Sequence, residues 1–192
     1  MIAYEKRLRL GGIDALKLTC DFFDDEDRLL DSILEIGRRL RGADIPYAMF
    51  DGVPLSIYGM SGMKCEIGIL VRPKDLLRAR KIVIGSGVKI NFAVAGCYPG
   101  DGLAKPVVFP DPSGCSTQTD DISYIKLENL IELKLASGMS ALAFISDLAD
   151  VIDLIKARNL DESFADKLNP YVREKYLELC RGVKNAVHPF DQ

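Results

Sequence analysis

Behind the acidic cluster from Asp21 to Asp27, the apolar residues Leu29, Leu30, Ile33, Ile36 and Leu40 recur at helical spacing and predict an amphipathic helix. Gly42 and Asp44 stop it, and Pro46 bars its resumption. Tyr47 to Phe50 is short, apolar and flanked by breakers, which suits a buried strand. Asp51-Gly52 is then a turn. Pro54 fits the first turn of a second, short helix ending near Tyr58 and Gly59, where its missing N–H is harmless. Cys65 to Val71 predicts a strand, Lys74 to Lys81 behind Pro73 a charged surface helix, and Val88 to Ala95 a third strand.

From Gly96 to Ser116 the chain is dense in Gly and Pro and predicts a long loop, with Pro106 to Phe109 extended. Ser123 to Lys126 predicts a last short strand. Helices follow: Leu127, Leu130, Ile131 and Leu135 share one face of a helix closed by Gly138, and Leu142, Ile145, Leu148, Ala149, Ile152 and Ile155 share a face of the next. Glu162 to Leu168 and Tyr171 to Gly182 complete the set, with Pro170 at a helix start. Strands first and helices later imply an α/β (α+β) fold: a core over residues 1–121 and a C-terminal helical subdomain over 122–192 packed on it. The first twenty or so residues yield no element from pattern alone.

Composition narrows the function classes. The chain has 192 residues and a formal charge of −3 with both signs interspersed, so it lacks the electrostatic footprint of a nucleic-acid or anionic-lipid binder. No apolar run approaches the roughly 20 residues of a membrane span, so the expectation is a cytoplasmic protein without a membrane partner. Cys20, Cys65, Cys97, Cys115 and Cys180 are scattered without a CxxC pair, and His188 is the sole histidine. Reduced thiols are expected rather than a disulfide framework or a zinc site.

One segment carries candidate chemistry. Phe50-Asp51-Gly52-Val53-Pro54-Leu55-Ser56-Ile57-Tyr58-Gly59, followed by Glu66-Ile67-Gly68-Ile69-Leu70-Val71, resembles the minimal nucleotidyltransferases, whose core is similar to that of DNA polymerase β. The resemblance continues through Lys89 to Phe92, Ala95 to Gly102, Phe109 to Pro112, Leu130 to Gly138 and Asp147 to Val151. It implies a small mixed sheet flanked by helices and two-metal phosphoryl transfer, with strand carboxylates holding Mg²⁺ against nucleotide phosphates. Residues i and i+2 of a strand share a face, so the family's Asp-x-Asp aims two carboxylates at one metal pair.

Here the ligand positions are degenerate. The three carboxylate places fall on Glu66, Gly68 and Asn91: one acid, one residue without a side chain, one neutral amide. Gly62 stands where the pattern has Arg, Lys64 where it has Thr, Phe144 and Ser146 where it often has Arg and Lys, and Asp51 where the turn has its first Gly. The scaffold positions match throughout. The resemblance therefore implies a nucleotidyltransferase-like protein without catalysis, acting by binding a nucleotide or a protein partner, with toxin–antitoxin regulation as an analogy. Glu66, Asp51 and Asn91 are the candidate catalytic positions, with Glu66 the metal ligand. Gly52, Ser56, Lys64 and Lys134 are the candidate nucleotide-binding residues.

The rival expectation is an active Mg²⁺-dependent transferase in which Asp51 approaches Glu66. Against it, a carboxylate at the turn would repel phosphate. Simpler structural roles are expected for several of these residues: Lys134 paired with Glu132 or Asp150, Asp147 and Asp150 bridging helices from one face, and Asp101 and Asp111 bonding locally within turns.

Overall fold

In the computed structural model, which describes residues 11–22, 27–60, 66–119 and 122–185, the apolar periodicity after Asp27 becomes a helix over Asp27–Gly42. Its Leu29, Ile33, Ile36 and Leu40 are buried in one stripe. A preceding helix, α1 (Ile13–Phe22), buries Ala15, Leu16, Thr19 and Cys20, so the Asp27–Gly42 helix is α2. Asp44, at φ 53°, ends α2 in the left-handed region that short polar side chains tolerate.

The sheet comprises β1 (Tyr47–Asp51), β2 (Glu66–Val71), β3 (Lys89–Val94), β4 (Ser116–Gln118) and β5 (Ser123–Ile125), in the order β3-β2-β1-β5-β4. β1 runs antiparallel to β2 and parallel to β5, β2 is parallel to β3, and β4 and β5 form an antiparallel pair. The architecture is a five-stranded mixed sheet flanked by helices. Between β1 and β2 lies the short α3 (Gly52–Ile57), and between β2 and β3 a 3₁₀ turn (Pro73–Asp75) leads into α4 (Leu76–Val83). The one-turn α5 (Pro112–Cys115) precedes β4. After β5 come α6 (Leu127–Gly138), α7 (Ile145–Arg158) and α8 (Pro170–Asn185).

Strand alternation sorts the core into two layers. Tyr47 and Met49, with Ile67, Ile69 and Val71, pack under α1, α2 and α4. Ala48, Leu70 and Ala93 pack against Leu130, Leu135, Val151, Leu154 and Tyr176 of α6 to α8. β1 is therefore covered on both faces, which explains its uninterrupted apolar run. β5 lies beside β1, with Met49 opposite Tyr124, so the sheet extends past residue 121 into the segment that carries the C-terminal helices.

The long loop is held by specific contacts. Phe109 is joined by backbone bonds to Gly96 and Cys97, Gly96 N–H to Phe109 C=O at 2.8 Å and Phe109 N–H to Cys97 C=O at 2.8 Å, although Pro106 to Phe109 forms no strand. Asp101 accepts from the Leu103 amide and from Lys105, while Asp111 accepts from the Ser113 amide and bonds both ends of the Arg72 guanidinium. The bonds to Leu103, Lys105 and Ser113 are the local ones that turn aspartates favour, whereas the Arg72 pair ties the loop to the end of β2. The loop touches α6 at Gly100, whose φ is +70° and where a Cβ would lie 2.9 Å from Ser137 Cα and 3.0 Å from its carbonyl oxygen. Gly100→Ala is expected to lower stability by about 2 kcal/mol through backbone strain and this clash, read as a lower urea midpoint at unchanged slope.

Candidate functional site

Asp51 ends β1 and begins α3 with φ 66° and ψ −127°, a backbone region that residues with a side chain rarely adopt and that costs roughly 1–3 kcal/mol. Strand alternation alone would group Asp51 with Tyr47 and Met49. Instead its carboxylate meets Lys134 on α6, a helix of the opposite layer, at 3.3 Å.

Lys134 is surrounded. Its ammonium donates to Asp150 at 2.8 Å and to Asp147 at 2.9 Å, and the Ser137 hydroxyl donates to the other oxygen of Asp147 at 2.6 Å. The helical frame explains the convergence: Lys134 and Ser137 lie three apart on α6, Asp147 and Asp150 three apart on α7, so two matching faces meet. Gly138 permits the approach, because a Cβ there would stand 2.6 Å from Leu148 Cγ. The Lys134 side chain is 5% exposed, against 12% for Asp150, 19% for Asp147 and 39% for Asp51. Burial works against the ammonium charge, but Asp51, Asp147 and Asp150 outweigh it and hold its pKa above the ordinary lysine range.

One ammonium among three carboxylates leaves a formal charge of −2, which repels a phosphate and leaves Lys134 no free side on which to receive one. Of the two pairings expected for Lys134, Asp150 forms; Glu132 instead accepts from the Asn169 amide. The bridging role expected of Asp147 and Asp150 is the one observed.

Of the other candidate positions, Glu66 and Gly68 lie on β2 and Asn91 on β3. Phe50, Gly68 and Asn91 face one another across β1, β2 and β3. Above Gly68 lies the Phe50 ring, itself edge-on to Phe109 with centroids 5.5 Å apart. A Cβ on residue 68 would stand 2.9 Å from two carbons of that ring and 2.7 Å from the Phe50 carbonyl oxygen. Asn91 is exposed on the edge strand. Glu66 opens β2 opposite Lys89, and its side chain lies outside the described residues, as does all of Lys64. Gly52 and Ser56 are buried within α3, where the Ser56 hydroxyl donates to the Gly52 carbonyl at 3.2 Å.

These residues do not fit a metal pair. The second ligand position has neither a side chain nor room for one, the third is a neutral amide, and Asp51 is committed to Lys134. Among the described residues, no group of three His, Cys, Asp or Glu side chains is placed to hold a metal ion. Pattern reasoning did not anticipate the Phe50 cover or the Ser137–Asp147 bond. The i, i+3 spacing of Lys134 with Ser137 was a signal for the second; an aromatic residue directly opposite a strand glycine was a signal for the first. Compared with known proteins, the chain matches no family model, no curated protein and no solved structure.

Proposed function

We propose that this chain is a nucleotidyltransferase-like protein that does not transfer nucleotides and acts by binding a partner protein. The observation that carries the reading is the Phe50 ring over Gly68: the place from which a second strand carboxylate would reach a metal is filled by an aromatic side chain. Two-metal transfer needs carboxylates converging on that face. The engagement of Asp51 by Lys134 supports the same reading, since it occupies both the replacement acid and a cation that would otherwise be available to phosphate.

Calorimetric titration of the full chain with ATP, GTP, CTP and UTP, with and without Mg²⁺, joined to an assay for transfer of labelled nucleotide, tests it. The expected result is no binding strengthened by Mg²⁺ and no transfer. Mg²⁺-dependent binding accompanied by transfer of label would overturn the proposal and point to an enzyme working through Glu66.

A further inference from the structure

Charge on this acidic chain is unevenly distributed. From residue 72 to 89 it carries Arg72, Lys74, Arg78, Arg80, Lys81 and Lys89 against Asp75 alone, six positive and one negative for +5 within a total of −3. Asp75 is buried, and Arg72 is spent on Asp111. Lys74, Arg78, Arg80 and Lys81 are exposed, and among the described residues none of them pairs with a carboxylate. Arg78 donates to the Ala43 carbonyl at 2.6 Å, which fixes its position without neutralising it.

The helical frame arranges these groups. α4 buries Ala79 and Val83, so Leu77, Arg78 and Lys81 form its outer stripe, with Lys74 on the 3₁₀ turn just before it and Ile84 just past its end. Leu77 is 73% exposed and Ile84 74%. Arg80 turns toward the sheet and lies 5.8 Å from the Phe92 ring centroid. Between α4 and β3, an edge strand of the sheet among the described residues, runs a cleft of about 740 Å³ lined by Val83, Ile84, Val88, Ile90 and Phe92 as well as Arg80.

We infer that the α4 face and the adjoining β3 cleft are the docking surface for an extended acidic segment of a partner protein with interspersed aliphatic side chains. Carboxylates of the segment lie along Lys74, Arg78, Arg80 and Lys81, and its aliphatic residues cover Leu77 and Ile84 and enter the cleft. Leu77 and Ile84, the apolar groups among the cations, are aliphatic and so match the aliphatic side chains of a peptide better than nucleobases, which bind by stacking on aromatic faces. The inference rests on the binding reading and names its surface and the chemistry of its partner.

The test is fluorescence anisotropy of the full chain with three probes at physiological salt: a labelled peptide of about twelve residues repeating Asp-Glu-Leu, the same peptide with Ser for Leu, and an oligouridylate of similar charge. The expected result is binding of the Leu peptide at least tenfold tighter than of the Ser peptide or the oligouridylate. Binding should be lost when Lys74→Glu, Arg78→Glu and Lys81→Glu are combined, and cut about tenfold by Leu77→Ser with Ile84→Ser. All five positions are exposed, and an unchanged urea midpoint confirms that each variant is folded.

No binding of the Leu peptide up to about 1 mM, binding indifferent to either set of substitutions, or tighter binding of the oligouridylate overturns the surface. The nucleotide assay separates the two proposals. A chain that ignores the peptides and transfers no nucleotide loses this surface and keeps the non-catalytic reading; transfer removes that reading and leaves the peptide result to stand by itself.

Discussion

Replacing Lys134 with methionine is expected to destabilise the protein by about 3–5 kcal/mol, because the largely buried Asp147 and Asp150 then face each other and the half-exposed Asp51 with no cation between them. Equilibrium urea unfolding at pH 7 measures the loss. The apolar stem of methionine fills much of the lysine's volume, so the effect belongs to the charge rather than to a cavity. Adding Asp147→Asn and Asp150→Asn to Lys134→Met should recover part of it, since the three sites form one coupled network. A loss under 1 kcal/mol, or strict additivity in the triple variant, would sink the account of Lys134 as the cation that holds β1, α6 and α7 together.

The pH dependence has a defined sign. The pKa of Lys134 is raised by folding, so its stabilising contribution is complete below the unfolded value of about 10.5 and is lost as pH climbs through the higher folded value. The wild-type chain should therefore show no loss from this lysine across neutral pH and a loss only in strong alkali.

Gly68→Asp is expected to be the second severe substitution, costing roughly 3 kcal/mol or more. By the resemblance to nucleotidyltransferases alone, it would add a strand carboxylate and, with Asn91→Asp, suggest a route to chemistry. In the folded chain its Cβ meets the Phe50 carbonyl oxygen at 2.7 Å, a backbone atom fixed by the β1–β2 pairing, and the Phe50 ring at 2.9 Å. A side chain can swing aside; a paired strand carbonyl cannot move without breaking the ladder. Thermal unfolding of Gly68→Ala and Gly68→Asp checks this. A drop for both with a larger drop for the aspartate is expected, whereas an unchanged melting temperature for Gly68→Asp would show that the ring and the strand yield freely. Gain of nucleotidyl transfer in the Gly68→Asp, Asn91→Asp variant would contradict the proposed function directly.

Much of the fold was legible because burial writes a period into the chain. Leu29 to Leu40 announced α2, the unbroken apolar run of Tyr47 to Phe50 announced a strand covered on both faces, and the glycine at 138 marked the end of α6. Less legible were segments whose signal is short or mixed. α1 is only ten residues long with four of them polar, β4 is three residues of Ser, Thr and Gln, and the Glu162–Lys167 segment tightens into a 3₁₀ helix rather than an α-helix. In each, tertiary contact outweighs local preference.

For the candidate site the chemical inventory is readable from the amino acids alone: a neutral Asn91, no side chain at residue 68, a single lysine within α6, and aspartates three apart on α7. It could not determine partners, because partnership depends on which faces meet. Asp51 reaches Lys134 across 83 residues through a left-handed turn, Asp147 and Asp150 reach it because Gly138 lets α7 come close, and Phe50 covers Gly68 because β1 and β2 pair in one register rather than the next. Local pattern follows from the chain's own geometry and is therefore written in the sequence. Long-range pairing follows from the packing of layers, and it is that packing which sets Asp51, Asp147 and Asp150 around Lys134.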